Sequence, residues 1–305
     1  MHTPRELKAL YAKGANISKQ LREDYGLDKN SMEIIEIAYD LQTGSYIDRM
    51  KNIDATKYAE QYTSEIAKYI LTLCEPETLL EAGVGEATTL AGVAGNLPMM
   101  RNCYGFDLSW SRVAYASTWL KEKGISNGSL CTGDLLNIPF RDSSIDVVYT
   151  SHSIEPNGGN EEAILKELFR VTKKYLILLE PAYELASEEA KKRMDSHGYC
   201  KGLEKTCLSL GLKVLEHKLF PMSANPQNPT AITIIEKLDA THKDGSSVFA
   251  CPKYKTPLKE IDGALFSGEA LIAYPILNNI PCLRIESGIF ASKYAEVSEK
   301  LKKLS

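Results

Sequence analysis

The chain has 305 residues, 44% hydrophobic and 25% charged, with 36 Lys and Arg against 40 Asp and Glu for a net charge of -4. That length suffices for one large domain with a substantial core plus a small extra module. No apolar run approaches the roughly 20 residues that span a bilayer, the opening MHTPRELKAL lacks the apolar centre of a signal peptide, and the lack of a long Lys/Arg block argues against nucleic acid as a partner.

A cytoplasmic protein with a small-molecule substrate and no membrane partner is therefore expected; a homo-oligomer is compatible with this composition. The seven cysteines (74, 103, 131, 200, 207, 251 and 282) contain no CxxC pair, which suits reduced thiols better than a disulfide framework.

Residues 1–73 read as helical. Apolar residues recur at helical spacing from Ser31 to Leu41, and again through Tyr58, Tyr62, Ile66, Tyr69 and Ile70. From Glu77 short apolar runs alternate with helical patterns, the signature of a βα array around a parallel sheet. Thr78–Glu81 is the first predicted strand, followed by a glycine turn and a helix over 87–95. Cys103–Asp107 is the second, with Ser109 as N-cap of a helix through Lys123. Leu130–Thr132 marks the third strand, Ile145–Thr150 the fourth, 161–171 the next helix and Tyr175–Glu180 the fifth strand. Two β-rich runs, 213–219 and 230–236, suit a closing antiparallel pair at the sheet edge.

Thr241–Ser247 reads as a polar linker. Beyond it, closely spaced Pro and Gly with short apolar runs predict a small β-rich module over 248–286. A charged helix near 294–304 closes the chain, within a last segment of 287–305. The expected architecture is α/β, with a Rossmann-like, seven-stranded, mostly parallel sheet over 74–240 and a helical cap over 1–73.

The strongest chemical signal is Glu81-Ala82-Gly83-Val84-Gly85-Glu86-Ala87 between a strand and a helix. Glycines there let the backbone turn tightly and approach a ligand. Dinucleotide-binding enzymes use a related loop, but two details separate this one. Glu81 ends the strand where it can pair with a cationic aminoacyl group, which a pyrophosphate site does not need. Asp107 ends the next strand, placed to accept ribose hydroxyls. After the third strand, Gly133-Asp134-Leu135 sets a carboxylate beside a backbone N–H, a pair able to read adenine. Asn137-Ile138-Pro139-Phe140 and Ser144-Ile145-Asp146-Val147-Val148 follow.

With these motifs in this order, the sequence resembles the class I methyltransferases that use S-adenosylmethionine. The register is good over 75–180 and looser to 238. The resemblance implies S-adenosylmethionine as cofactor, with Glu81, Gly83 and Gly85 on its methionine part, Asp107 on the ribose, and Asp134 with Leu135 on the adenine; Leu108 and Ser151 join the cofactor set. Ala87 stands where the family often carries a third glycine.

In this fold the acceptor lies beyond the fourth and fifth strands, here at 151–160 and 180–184. His152 is the candidate general base, because imidazole titrates near working pH. Glu155 is the candidate to orient it or to bind a substrate hydroxyl, set against a plain solvated loop carboxylate, which is favoured. Asn157 and Glu180 suit a polyhydroxyl acceptor, and His197 is as well explained by a helix end. Tyr46, Tyr58 and Tyr62 either line the cofactor mouth or belong to the core, with core favoured.

Cys251-Pro252-Lys253-Tyr254, Leu265-Phe266-Ser267 and Tyr274-Pro275-Ile276 through Ile280-Pro281-Cys282 resemble the small zinc-ribbon activator of tRNA, rRNA and release-factor methyltransferases. Tyr254 and Ser267 replace two of the four ligands that a structural zinc requires, so no metal is expected. The leading expectation is methyl transfer to a small polar acceptor, such as a sugar or nucleotide sugar. A methyltransferase modifying RNA or a translation factor, a non-catalytic cofactor-binding scaffold and a nicotinamide oxidoreductase are the alternatives.

Overall fold

The computed structural model describes residues 2–237 and 247–303; the linker read over 241–247 lies, but for Ser247, outside the described residues. Five helices come first: α1 (Pro4–Tyr11), α2 (Ile17–Tyr25), α3 (Met32–Asp40), α4 (Ser45–Arg49) and α5 (Ile53–Leu73). Local chemistry starts several of them. Thr3 and Glu6 form a capping box on α1, and Asn16, Ser31 and Asn52 accept backbone N–H groups at the starts of α2, α3 and α5. Leu7, Ile17, Leu21, Ile34 and Ala38 form a separate small core for α1–α3.

The βα array follows: β1 (Thr78–Ala82), α6 (Thr88–Gly95), β2 (Asn102–Asp107), α7 (Trp110–Glu122), β3 (Gly128–Thr132), β4 (Ile145–Ser151), α8 (Glu161–Val171) and β5 (Thr172–Pro181). Next come α9 (Glu188–His197), α10 (Leu203–Ser209), β6 (Lys213–Leu219) and β7 (Thr230–Glu236). The seven strands order as β3-β2-β1-β4-β5-β7-β6. All run parallel except β7, which is antiparallel to both β5 and β6. The chain order reverses between β1 and β4, so the crevice above their carboxyl ends is the natural ligand position.

Both faces of this sheet are buried, and alternate residues of each strand serve different cores. Leu79, Cys103, Val147 and Ile177 pack under α5, α6 and α7. Leu80, Tyr104, Val148 and Leu176 pack under α8 and α10. Most boundaries shift by a residue or two, and two of the shifts have a clear local cause. The helix expected to start at Ala87 starts at Thr88, and Ala87 is its N-cap with φ 58°. That left-handed backbone favours glycine, because a Cβ there meets the following carbonyl. The fifth strand begins at Thr172 instead of Tyr175, because Thr172 pairs with Ile145.

The rest of the chain forms β8 (Lys259–Ile261), β9 (Ala264–Ser267), β10 (Ile272–Leu277), β11 (Ile280–Pro281), β12 (Ile289–Phe290) and α11 (Tyr294–Lys302). The strands make a small antiparallel sheet, β11-β10-β9-β8, with β12 also on β10. It shares a core with the main sheet, since Cys251, Leu258, Leu265, Tyr274 and Leu283 join the α8 face. It also covers the edge of β3: Thr132 pairs in parallel with Cys282, and the Leu283 N–H donates to the Thr132 carbonyl at 3.1 Å. An open edge strand is a template for unwanted pairing, and this contact closes it.

Candidate functional site

The ends of β1, β2, β3 and β4 open into one cavity of about 650 Å³, within the range of small-ligand sites. Every residue singled out for cofactor or catalysis lines it: Glu81, Gly83, Gly85, Asp107, Leu108, Asp134, Leu135, Ser151, His152 and Glu155. Two glycines have steric reasons to be there. Gly83 has φ 78°, and a Cβ on it falls 2.2 Å from Ser153 Cβ; Gly85 has φ 53°, and its Cβ falls 2.5 Å from an Arg112 nitrogen. Any side chain at either place displaces its neighbour.

Three of the acidic residues that line the cavity belong to the cofactor motifs. Glu81 is fully enclosed and accepts the Tyr149 hydroxyl at 2.9 Å, and burial pushes its carboxyl up to about 8. Asp107 accepts the N–H groups of Gly85 at 2.9 Å and Ser109 at 3.0 Å. Asp134 accepts the Leu136 N–H at 2.8 Å, and burial raises its carboxyl above the usual range despite that bond. Loop amides hold Asp107 and Asp134 in place, whereas Glu81 is held by the Tyr149 hydroxyl.

The far wall comes from the loop after β4. His152, at φ 55°, bonds Glu155 through Nδ1 at 2.5 Å and the Thr230 hydroxyl through Nε2 at 2.9 Å. Burial alone pulls its imidazole down, but the bonded Glu155 carboxylate outweighs this and holds it above the ordinary value. Glu155 is not the solvated carboxylate weighed above. It is 8% exposed, it accepts Asn228 Nδ2 at 3.1 Å, and its bond to His152 keeps it below the usual range against burial. Glu180 is a second correction. It lies behind the loop, where its carboxylate accepts the N–H groups of Ser153, Ile154 and Glu155 at 3.0–3.1 Å. It therefore shapes the loop and does not face an acceptor. Asn157 lines the cavity, whereas His197 ends α9 and bonds the Arg193 carbonyl.

The helical cap closes the front. Tyr46, Tyr58 and Tyr62 all line the cavity, against the expectation favouring core; Tyr62 does both, packing in the core beside α6 and bonding Ser151 Oγ at 3.0 Å. Three contributors escaped the sequence reading. Glu86, just after the glycine loop, accepts the N–H groups of Gly44 at 3.0 Å and Ile47 at 2.8 Å, tying the cap to the loop. Arg112 lies between the rings of Tyr39 and Tyr46, 5.4 and 4.9 Å from their centroids. Its place in the first turn after Asp107 was the available signal. Thr230 offered none, because its approach to His152 depends on β7 returning beside β5.

The segment that leads into the small sheet grips the loop after Asp134. Ala250 N–H donates to the Pro139 carbonyl at 3.0 Å, and Arg141 N–H to the Val248 carbonyl at 2.9 Å. The Phe249 ring stands 5.1 Å from that of Phe140, and Arg284 pairs with Glu36 of α3. In the broken zinc pattern, the retained Cys251 Sγ meets the Tyr274 hydroxyl at 3.2 Å, and Ser267, at a replaced position, bonds Thr256 at 2.6 Å. Among the described residues no group of three or more His, Cys, Asp or Glu is arranged to hold a metal, and no helix is long and apolar enough to cross a membrane.

Comparison with known proteins bears on this site. Residues 79–175 match the family described as "Methyltransferase domain". Norajmaline N-methyltransferase from Rauvolfia serpentina is 29% identical over 144 residues, covering 46% of this chain and 48% of that protein; the chain thus spans about half the length of this curated relative. The magnesium protoporphyrin IX methyltransferase from Synechocystis PCC 6803, solved with S-adenosylhomocysteine bound, superimposes with a TM-score of 0.52 at 14% identity, over 68% of this chain and 100% of that one. This likeness shows the fold.

Proposed function

We propose that this chain, whose residues 79–175 match the methyltransferase domain, transfers the methyl group of S-adenosylmethionine to a small acceptor. The observation that carries this reading is the row of carboxylates at or just beyond strand ends, Glu81, Asp107 and Asp134, around a glycine loop in one cavity. These residues fit the cofactor. Glu81 suits its ammonium, Gly83 and Gly85 permit close approach of the methionine part, Asp107 suits the ribose, and Asp134 with Leu135 suits the adenine; Leu108 and Ser151 complete the wall. When bound, the cofactor supplies a methyl group on a sulfonium, so the protein's own task is alignment and exclusion of water.

We read the acceptor as a small molecule with an apolar body and a polar handle. Met32, Ile35, Met50 and Tyr58 share the cavity with His152, Asn225 and Asn228. The polar loop residues alone favoured a sugar or nucleotide sugar. A saccharide, however, presents hydroxyls on every side, and those against Met32 and Ile35 would be buried without partners. His152 is the base in this reading, with Glu155 orienting it. The cap of α1–α5 over the cavity favours a small acceptor over RNA or a translation factor.

In the same reading residues 74–240 are the catalytic unit, 1–73 the cap, 248–286 a zinc-free, tethered counterpart of the activator it resembles, and 287–305 its closing helix. Tethering keeps such a brace at high effective concentration, and its bonds to Pro139 and Arg141 support the role.

The test is transfer from methyl-labelled S-adenosylmethionine to panels of phenols, sugars, nucleotide sugars and RNA. Label entering phenols is expected. Label confined to saccharides or RNA overturns the acceptor reading, and failure to bind or use the cofactor at all overturns methyl transfer.

A further inference from the structure

His152 has no free ring nitrogen. Nδ1 faces Glu155 at 2.5 Å, and Nε2, the nitrogen that a base would offer, faces the Thr230 hydroxyl at 2.9 Å. Thr230 itself lines the cavity and is otherwise buried. With the Glu155 carboxylate ionised, Nδ1 carries the proton that bonds it, and neutral Nε2 accepts from the Thr230 O–H. The lone pairs of the Thr230 oxygen then remain available to the cavity. This carboxylate–imidazole–hydroxyl order has the geometry by which an imidazole draws a proton from a hydroxyl.

We propose that Thr230 is the proton-accepting contact of the site, taking the proton of a hydroxyl-bearing acceptor while passing its own to His152 Nε2. The proposal rests on the methyl-transfer reading above. The acceptor O–H bond breaks, and its proton goes to Thr230 Oγ as the Thr230 proton goes to Nε2. The electron pair left on the acceptor oxygen forms the bond to the methyl carbon as the carbon–sulfur pair departs with sulfur, cancelling the sulfonium charge. The positive charge ends on the imidazolium beside Glu155. A hydroxyl needs this relay because its oxygen is a weak nucleophile until its proton leaves, whereas a neutral amine attacks with a lone pair it already has.

The groups around His152 and its partner Glu155 come from five parts of the chain. Glu155 lies on its own loop, Glu180 on β5, and Asn228 and Thr230 at the start of β7. Tyr39 on α3 and Tyr199 after α9 face Glu155. Their charges shift the pH at which the relay works, so the test compares variants at matched pH.

Thr230→Val keeps the shape and removes the hydroxyl, while Thr230→Ser restores it. With a phenol methylated by the wild type as acceptor, the Val variant is expected to lose about 100-fold in kcat, in line with general-base contributions. KM and S-adenosylhomocysteine affinity should stay unchanged, and the Ser variant should recover most of the rate. In histidine-labelled protein without ligands, the His152 Nε2 signal should move in the Val variant and not in the Ser variant. A Val variant with undiminished kcat, or an unmoved Nε2 signal, overturns the relay while leaving methyl transfer standing. Loss of S-adenosylhomocysteine binding by the wild type instead removes the reading on which it rests.

Discussion

Arg112 Nη1 lies 3.8 Å from Asp107 Oδ2, too far for a hydrogen bond, although the arginine is only 7% exposed and its Nε has no partner. A buried guanidinium with unsatisfied donors is costly unless a ligand completes it. Arg112 is therefore expected to donate to the cofactor beside Asp107. Arg112→Met should weaken S-adenosylhomocysteine binding by about tenfold or more, the range for hydrogen bonds to a charged group, without lowering the melting temperature of the free protein. Calorimetry and a thermal melt check both halves. Unchanged affinity would make Arg112 a packing residue.

Glu81, held at about 8 by burial, carries a proton in much of the neutral range. An ammonium group docking beside it favours the ionised form, so binding should release that proton. Affinity for S-adenosylhomocysteine should accordingly rise with pH toward about 8 and then level. Titrations in buffers of different ionisation enthalpy measure the released proton, and Glu81→Gln should abolish the release.

Burial holds Glu180 up at about 7, against about 4.3 for a free glutamate. A carboxyl raised in the folded state contributes stability that is complete below its unfolded value and is lost as pH rises through the folded one. Stability of the free protein should therefore decline between about pH 4.3 and 7. Glu180→Gln should flatten the slope, whatever it does to the absolute melting temperature. Equal slopes in denaturant titrations of the two proteins would contradict this account of the loop.

The segment leading into the small sheet should brace the loop from Asp134 to Phe140. Phe249→Ala removes a ring packed on Phe140 and Tyr104. It is expected to cost about 2 kcal/mol of stability, below the full-core range because Phe249 is half-buried, and to weaken cofactor binding. A chelator should leave the melting curve unchanged, since no metal is expected in this module.

Much of this site was legible because it is local. Glu81, Gly83 and Gly85 lie within one turn, Asp107 ends a strand and Asp134 follows one by two residues, so short motifs carry them. The helix start at Ser109 was readable for the same reason, since a cap acts within three residues. What the sequence hid depends on distant packing. Thr230 reaches His152 across 78 positions, Glu86 holds Gly44 across 42, and Glu180 shapes the loop at Ser153 across 27. The chemistry of Glu155 changed with burial, which a loop composition does not disclose.

The most direct test of the central claim is calorimetric titration of S-adenosylhomocysteine into the wild type and Asp107→Ala, each first shown to be folded by its melting curve. Asp107 is the strand-end acid beside both Gly85 and Arg112. The account predicts saturable binding to the wild type and its loss in the folded variant. A folded wild type that binds no S-adenosylhomocysteine, or a variant that binds it equally well, would contradict the assignment of this cavity to the cofactor.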